Sequence, residues 1–347
     1  MNKLLAIAQI LRKKPVALTV SLVVTVVALW AALKGVDLEQ AGEAIKQMRW
    51  GPIGVGMIVF IAGTVIRAYR WDVMMKSSGS TFAASLEAVL VSIFFNSLLP
   101  FRTGEAVRVA YFSRRANVSV MATTAGLVMD RTMDVIALAM LGAVFLSGAL
   151  GQKIEGLRFP PYLLGLGAGA AVVGFLVAGL WLRKRTLRHG NHPKSALGKR
   201  IDEGLAGLES LHSAPLVAYL LFVSVVMWLV TAAPTYFVFQ AFGAQITFSQ
   251  AVVMLLGITF AVALPSSPGF VGTYHAGMVY GALLVGIPKE QSLPVAIISH
   301  LMGSLPFVLA GGVVLATGGR RALAKKAVED AEHVVDEGDL PAEESSA

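Results

Sequence analysis

Long blocks of apolar residues, rather than short alternating patterns, dominate this sequence of 347 residues. A helix needs about 20 consecutive apolar residues to cross the ~30 Å hydrocarbon core of a bilayer. Blocks of this kind occur at about residues 16–34, 51–69, 120–149, 161–182, 214–239 and 291–317. The pattern therefore predicts an all-α polytopic membrane protein with about six spanning helices.

Two further apolar runs, at about residues 82–115 and 247–286, are interrupted by proline and glycine. A helix-length stretch ends at the sequence LPFRTG in the first run and at LPSSPG in the second. Proline stops a helix, and the glycine four residues later allows the backbone to reverse tightly. Because irregular backbone at membrane depth must be buried in protein or line a cavity, these runs predict two re-entrant helical hairpins.

Basic residues cluster at the ends of the apolar blocks, and their distribution predicts which side each end faces. With the amino terminus in the cytoplasm, few of them fall outside, namely Lys46, Arg49, Lys153, Arg158 and Lys289. This bias holds only if the first hairpin enters from the cytoplasm and the second from outside. Two such hairpins form an inverted-topology repeat, with a central site where their tips approach. The alternative is that one or both runs cross fully, which would place a basic cluster outside.

Composition excludes a soluble protein of this length. The sequence is 56% apolar and 14% charged with a mean hydropathy of +0.70, whereas soluble domains carry about 25% charged residues. The net charge of +8 lies in clusters beside apolar blocks, so it predicts membrane orientation and contact with anionic lipid rather than nucleic acid. We expect one transmembrane domain over residues 1–319 in the cytoplasmic (inner) membrane, with a disordered tail over 320–347. Both termini are expected in the cytoplasm.

The densest polar cluster lies beside the first proline, in the segment NSLLPFRTGEAVR. Its candidate binding residues are Asn96, Arg102, Gly104, Glu105 and Arg108. Glu105 and Arg108 are three residues apart, so on a helix they share a face and could pair. A guanidinium near the hydrocarbon suits bidentate binding of a phosphate. The alternative for Arg102 and Arg108 is that they extend to the cytoplasmic interface and contact water.

A second cluster, formed by Asp130, Arg131 and Asp134, interrupts an otherwise apolar predicted span. Asp130 and Asp134 are four residues apart and therefore face the same way on a helix. Charges at that depth must be paired or solvated, so we expect this cluster to face the interior of the bundle. The two acids either clamp an arginine from another element or form a proton-coupling relay. Arg67 and Arg70, at the end of the second span, are predicted to be interfacial anchors.

The third candidate site is the segment PSSPGFVGTYHAG of the second hairpin. Its candidate residues are Pro265, Pro268, Gly269, Gly272 and His275. Backbone N–H groups exposed in such a segment could bind an anionic group. His275 either titrates near neutral pH or serves as a hydrogen-bonded structural residue.

Four segments, RAYRW, NSLLPFRTGEAVR, DRTMD and PSSPGFVGTYH, follow one another in this order. Together they resemble the lysylphosphatidylglycerol synthase transmembrane region, also called the flippase-like or UPF0104 family, over about residues 10–320. The resemblance implies lipid translocation, which in bifunctional members accompanies a separate soluble aminoacyltransferase domain. The tail after Gly319 is too short for such a domain, so we expect no enzyme activity. The chain departs from the family at His275, where a glutamate is frequent.

We therefore expect a translocase that moves a polar or anionic phospholipid or glycolipid headgroup between leaflets, without a cofactor or a bound metal. In this hypothesis Arg102 holds the phosphate, and Glu105 with the Asp130/Asp134 pair positions basic groups. Gly104 and Gly269 would allow the hairpin tips to move. The alternatives are a secondary transporter or channel for a small solute or ion, and a non-catalytic partner of a membrane-lipid synthesis enzyme. A lipid-modifying enzyme is disfavoured, because the sequence has no HxxxH-type metal pair and no evident nucleophile–base set.

Overall fold

The computed structural model describes residues 38–99, 102–150, 214–264 and 268–338, together with isolated positions between 23 and 34. The nine helices of these ranges are α1 (Leu38–Lys46), α2 (Trp50–Met74), α3 (Phe82–Leu98), α4 (Thr103–Ala116), α5 (Val120–Leu150), α6 (Ala214–Ala241), α7 (Phe248–Ala263), α8 (Thr273–Leu284) and α9 (Lys289–Gly338). No β-strand occurs in them. The prediction of an all-helical protein is thus confirmed for the described chain.

Three helices are long and apolar enough to cross a bilayer, namely α2, α6 and the part of α9 up to Gly318. They coincide with predicted spans at 51–69, 214–239 and 291–317. Helix α5 has 31 residues, but its sequence carries three charged side chains in its middle turns. The predicted spans at 16–34 and 161–182 lie largely or wholly outside the described residues.

The outer surface of the bundle is apolar. Large hydrophobic side chains are exposed on each of the three long apolar helices, for example Ile58 on α2, Phe222 on α6 and Val313 on α9. A soluble protein rarely presents such an extended apolar surface to water. These faces are suited to contact with lipid chains, as expected of a multi-pass membrane protein.

The two interrupted runs form helix pairs, α3 with α4 and α7 with α8, whose members pack against each other. Helix α3 has 17 residues and α7 has 16. At a rise of about 1.5 Å per residue each is about 25 Å long, which is shorter than the ~30 Å hydrocarbon core. Each pair therefore consists of short helices that pack together on either side of the predicted break, and their re-entrant entry into the membrane stays a prediction.

Threonine side chains cap the first helix of each hairpin. The Thr81 hydroxyl accepts a hydrogen bond of 3.3 Å from the Ala84 N–H at the start of α3. The Thr247 hydroxyl accepts one of 3.3 Å from the Gln250 N–H, and the Gln250 carboxamide accepts one of 2.8 Å from the Thr247 N–H. Such caps satisfy N–H groups that a helix start leaves free, so both helices begin at defined positions.

The turn regions of the two hairpins touch. Gly269 has a φ of +68°, and a Cβ atom at this position would lie 3.3 Å from the Ser97 carbonyl oxygen at the end of α3. Arg102, at the start of α4, also has a positive φ of 51°, which is unusual for a residue with a side chain. Left-handed backbone conformations at both turns allow the chain to reverse within a few residues.

Helix α9 extends further than the sequence predicts. It continues to Gly338, whereas the tail was expected to be disordered from residue 320 onward. The residues from 320 to 337 are rich in alanine, lysine, arginine and glutamate, which have high helix propensity, and this composition explains the longer helix. Residues 339–347 lie outside the described chain.

Glycines bring the two helices of the second hairpin into close contact. A Cβ atom at Gly277 of α8 would lie 2.7 Å from both the Gly257 carbonyl oxygen and the Ile258 Cα of α7. At Gly281, one turn further along α8, a Cβ atom would lie 2.8 Å from the Met254 Cα. Small residues permit such backbone contact, which is a main source of helix association inside a membrane.

We predict that Gly277→Ala destabilises the protein by about 1–3 kcal/mol, because the added methyl group must displace backbone of α7. Gly54→Ala on α2 is the matched control, since a Cβ atom there has nothing within 4 Å. The free energy of unfolding in mixed micelles distinguishes the two variants. Equal stability of both would contradict the close packing of α7 and α8.

Candidate functional site

The structure surrounds Asp130, in the middle of α5, with three guanidinium groups. Its side chain is fully buried, and its carboxylate lies 2.7 Å from Arg70 Nη2, 3.0 Å from Arg131 Nη2 and 3.1 Å from Arg108 Nη1. These arginines come from α2, α5 and α4. A buried carboxylate that is shared in this way joins three helices through one side chain.

Asp134, one helical turn further along α5, completes the network. Its Oδ1 lies 2.8 Å from Arg70 Nη2 and accepts a hydrogen bond of 3.1 Å from the Trp228 indole N–H, and its Oδ2 lies 3.2 Å from Arg131 Nη1. Arg70 Nη1 donates a hydrogen bond of 2.7 Å to the Ser224 hydroxyl. The two aspartates therefore clamp an arginine of α2, which is one of the two roles considered for them. A proton-coupling relay stays a hypothesis.

Two expectations about partners were wrong. Arg70 is not an interfacial anchor, because its side chain is only 1% exposed and lies between Asp130 and Asp134. Glu105 and Arg108 do not pair, since Glu105 Oε1 lies 3.6 Å from an Arg131 nitrogen while Arg108 turns to Asp130. The reason in both cases is the packing of α2 and α4 around α5, which offers stronger partners than the same helix or the interface.

Arg108 retains unused hydrogen-bonding capacity. Its guanidinium carbon lies 3.9 Å from the centroid of the Trp71 ring, and Nη1 binds Asp130. The side chain is 3% exposed, yet its Nε and Nη2 have no hydrogen-bond partner among the residues that the structure describes. Stacking on an aromatic face holds a guanidinium in place without using its N–H groups.

Arg67 lies one turn before Arg70 on α2 and has no carboxylate partner within the described ranges. Its guanidinium carbon is 5.4 Å from the centroid of the Trp228 ring. The same tryptophan donates its indole N–H to Asp134, so Trp228 connects Arg67 to the clamp. Among the described residues, Arg67 thus lies beside the network without a carboxylate in direct contact.

A cavity of about 240 Å³ opens beside this network. The described residues that line it belong to six helices and are Phe60, Gly63, Thr64, Arg67, Val89, Ser92, Ile93, Asn96, Glu105, Arg108, Arg131, Thr231 and Gly303. Three of them are arginines and one is a glutamate, and the uncharged polar ones carry hydroxyl or amide groups. The cavity therefore presents a positive, hydrogen-bonding interior within an apolar bundle.

Four of the candidates from the first hairpin and α5 line this cavity, namely Asn96, Glu105, Arg108 and Arg131. Gly104 holds the Asn96 side chain in position, because the Gly104 N–H donates a hydrogen bond of 2.8 Å to the Asn96 side-chain oxygen. A Cβ atom at Gly104 would collide with the Ser92 carbonyl oxygen, so glycine is required for this approach. Asp130 and Asp134 lie behind the arginines as their counterions.

The remaining candidates that the structure describes lie at or beside the turns of the hairpins rather than in the cavity lining. Arg102 Nη2 donates a hydrogen bond of 3.0 Å to the Val262 carbonyl at the end of α7. The Gly269 carbonyl accepts one of 2.7 Å from His300 Nε2 on α9, and His275 Nδ1 accepts one of 3.3 Å from the Gly272 N–H. Pro268 begins a short 3₁₀ turn over residues 268–270, and Pro265 lies outside the described residues.

Arg67 and Trp228 belong to the site, although the sequence did not predict either as a site residue. Both lie in predicted spans. Arg67 was predicted to be an interfacial anchor, and no role was predicted for Trp228. One signal was available, because Arg67 and Arg70 are three residues apart and so share a helix face with each other. Two cations on one face of an apolar helix indicate an acidic partner in the bundle, and Asp130 with Asp134 supplied candidates for it.

Comparison with known proteins agrees with this architecture. A family profile described as "Lysylphosphatidylglycerol synthase TM region" matches residues 18–311. The UPF0104 membrane protein PH1989 of Pyrococcus horikoshii is 23% identical over 330 residues, covering 87% of this chain and 96% of that protein. The UPF0104 membrane protein MJ1078 of Methanocaldococcus jannaschii is 23% identical over 226 residues, covering 64% and 93%. Glycosyltransferase AglD of Haloferax volcanii is 23% identical over 342 residues, covering 85% of this chain but 53% of AglD.

We predict that Asp130→Asn destabilises the protein by about 3–5 kcal/mol, because it leaves buried arginines without their shared counterion. The control is Glu43→Gln on α1, which removes an exposed carboxylate that lies 2.6 Å from Lys46 of α1. That change should alter stability by about 0–1 kcal/mol. Unfolding in mixed micelles measures both, and an Asp130→Asn variant as stable as the control would show that the network does not hold the helices together.

Proposed function

The chain belongs to the lysylphosphatidylglycerol synthase transmembrane region family, and we propose from this premise that it moves a lipid with an anionic headgroup between membrane leaflets. The supporting observation is the arginine-lined cavity within an apolar helix bundle. A phosphate cannot enter hydrocarbon without groups that replace its hydration. Arginine side chains supply paired N–H donors and a permanent positive charge, which suit phosphate oxygens.

Arg67 and Arg108 are the residues that we assign to the phosphate. Arg108 has two buried nitrogens without partners, and Arg67 has no ion pair in the described chain. Arg131 is less available, because it lies within 3.6 Å of three carboxylates. Glu105 lines the same cavity with a single ion pair of 3.6 Å, so its carboxylate can accept hydrogen bonds from a headgroup hydroxyl or ammonium.

Arg102 has a different proposed role from the one expected from the sequence. Its guanidinium bonds the carbonyl of Val262 and lies 5.9 Å from the Phe270 ring centroid, and both partners belong to the second hairpin. We propose that Arg102 holds the hairpin tips together and that headgroup passage requires this contact to open. The left-handed backbone at Arg102 and Gly269 places the two turns within reach of each other.

The path that we propose follows the two hairpins. They would enter the membrane as re-entrant elements from opposite sides and so form an inverted repeat around the cavity. The lengths of α3 and α7, about 25 Å each, support entry without full crossing. The acyl chains would remain in lipid along the exposed apolar faces, so only the headgroup would need the polar interior.

The cellular setting follows from the same proposal. We place the protein in the cytoplasmic membrane with both termini in the cytoplasm and assign it no enzymatic activity. One relative is named a glycosyltransferase, and this chain aligns with about half of its length. That relationship supports a glycolipid as an alternative to a phospholipid substrate, and a membrane-lipid synthesis enzyme as a possible partner.

The size of the cavity favours one competing function, a transporter for a small soluble anion. At about 240 Å³ the cavity lies below the range of about 300–1,000 Å³ usual for drug-sized ligands. An inorganic phosphate or a small organic anion would fit it entirely. Uptake of radiolabelled phosphate into protein-containing vesicles, without movement of lipid, would establish this function in place of the lipid one.

We predict that Arg67→Gln slows transfer of fluorescent phosphatidylglycerol between the leaflets of protein-containing vesicles by about tenfold or more. A hydrogen bond to a charged group contributes about 1.5–3 kcal/mol, and about 1.4 kcal/mol corresponds to a tenfold change. Transfer is measured with an acyl-chain label and a membrane-impermeant quencher. Because Arg67 forms no ion pair in the described chain, its replacement should leave folding intact.

The matched control is Arg114→Gln, which removes an exposed arginine from the last turn of α4. This variant should transfer lipid as fast as the unmodified protein. If both variants transfer lipid as fast as the unmodified protein, Arg67 is not part of the proposed headgroup site. Equal loss in both would show that any reduction in basic charge slows transfer.

A further inference from the structure

Two histidines hold the turn of the second hairpin, and their ring nitrogens have opposite roles. Because a carbonyl can only accept, His300 Nε2 on α9 donates its hydrogen bond of 2.7 Å to the Gly269 carbonyl. His275 Nδ1 on α8 accepts a hydrogen bond of 3.3 Å from the Gly272 N–H, so this nitrogen carries no proton. The centroids of the two imidazole rings are 5.0 Å apart. The turn therefore depends on one protonated and one unprotonated ring nitrogen.

His275 is the third residue of α8, from which a side chain can reach back to the N–H of the residue before the helix. Glutamate and glutamine usually make this contact, and both keep their acceptor oxygens near neutral pH. The start of α7 shows the glutamine form, because the Gln250 carboxamide accepts a hydrogen bond of 2.8 Å from the Thr247 N–H. An imidazole at this position differs, since a proton on Nδ1 occupies the lone pair that accepts the bond.

We propose that His275 is a proton-binding residue whose protonation releases the start of α8. The charged imidazole has no acceptor for the Gly272 N–H, and its own Nδ1–H would point at that donor. The contact from His300 to Gly269 survives in acid, because a donor nitrogen keeps its proton. Gly272 has a φ of +86°, and glycine can leave this conformation for many others once the bond is lost.

The ionisable groups that face His275 come from α8, α9 and the first hairpin. Helix α7 packs against α8 but has no ionisable side chain between Phe248 and Ala263. On α9 the facing group is His300, and Tyr274 of α8 stacks on the His300 ring with 4.6 Å between centroids. Among the described residues no carboxylate acts on His275. Burial opposes a positive charge on this side chain, so the test must extend well below neutral pH.

The turn that His275 holds also touches the first hairpin. A Cβ atom at Gly269 would lie 3.3 Å from the Ser97 carbonyl oxygen. Arg102 is the charged side chain that approaches from this direction, and its guanidinium carbon lies 5.9 Å from the centroid of the Phe270 ring. Release of the Gly272 N–H therefore loosens the surface against which the first hairpin rests. The consequence for transport rests on the proposed function, in which this contact must open, so acid should favour lipid passage.

Hydrogen exchange measures the state of the Gly272 N–H in the full chain in nanodiscs. Mass spectrometry of overlapping peptides across residues 268–276 follows exchange from pH 8 to pH 4.5, with each rate divided by that of an unstructured peptide at the same pH. We expect protection at Gly272 to fall by about three- to tenfold on acidification, as for loss of one hydrogen bond. Protection of the Thr247 N–H, which Gln250 bonds, should remain constant.

His275→Gln is the matched variant, because glutamine keeps an acceptor at this position and does not titrate. It should protect Gly272 at every pH, whereas His275→Ala should leave Gly272 unprotected at every pH. His300→Gln keeps a donor for the Gly269 carbonyl and should retain the pH response of the unmodified protein. The inference is overturned by protection that does not change with pH in the unmodified protein, or by an equal pH response in His275→Gln.

Lipid transfer in vesicles distinguishes failure of this inference from failure of the proposed function. Faster transfer in acid that is absent from His275→Gln supports both. The expected exchange pattern without lipid transfer at any pH supports the proton-binding role and contradicts the translocase proposal. Lipid transfer by a protein whose Gly272 N–H stays protected down to pH 4.5 supports the translocase and overturns the role of His275.

Discussion

Burial of Asp130 among three arginines constrains the helices that surround it. Each of these ions would cost several kcal/mol to bury alone, so α2, α4 and α5 must remain in register for the charges to meet. Asp134 extends the constraint to α6 through the Trp228 indole. The cavity walls nearest to this network are therefore held by ion pairs, and at the hairpin turns Arg102 donates a hydrogen bond to the Val262 carbonyl.

The network also determines which arginines are available to a ligand. Asp130, Asp134 and Ser224 contact the terminal nitrogens of Arg70, and the two aspartates contact those of Arg131. Ring contacts with Trp71 and Trp228 hold Arg108 and Arg67. Aromatic contacts fix the position of a guanidinium and leave its N–H groups free. In the proposed headgroup site, such donors would already be oriented for a phosphate, so little reorganisation would oppose its binding. The cavity thus combines positive charge with fixed geometry inside an apolar bundle.

Much of the fold could be predicted from the sequence, because block length and the Leu-Pro breaks act locally. Proline and glycine at the turns indicated two short helix pairs, and the structure contains them as α3–α4 and α7–α8. Side-chain partners could not be predicted in the same way. Glu105 and Arg108 share a helix face, but packing of α4 on α5 gives each a partner on α5. The burial of Arg70 likewise depends on acids sixty and sixty-four positions later in the chain, whose proximity only the tertiary structure reveals.

The most direct measurement is an electron cryo-microscopy structure of the protein in nanodiscs that contain phosphatidylglycerol. We predict phosphate density in the cavity, with oxygens at about 3 Å from guanidinium nitrogens of both Arg67 and Arg108. The acyl chains should leave the bundle along its apolar outer faces. A cavity that contains only water, with every headgroup ordered elsewhere on the protein, would contradict the assignment of this cavity as the path of the lipid.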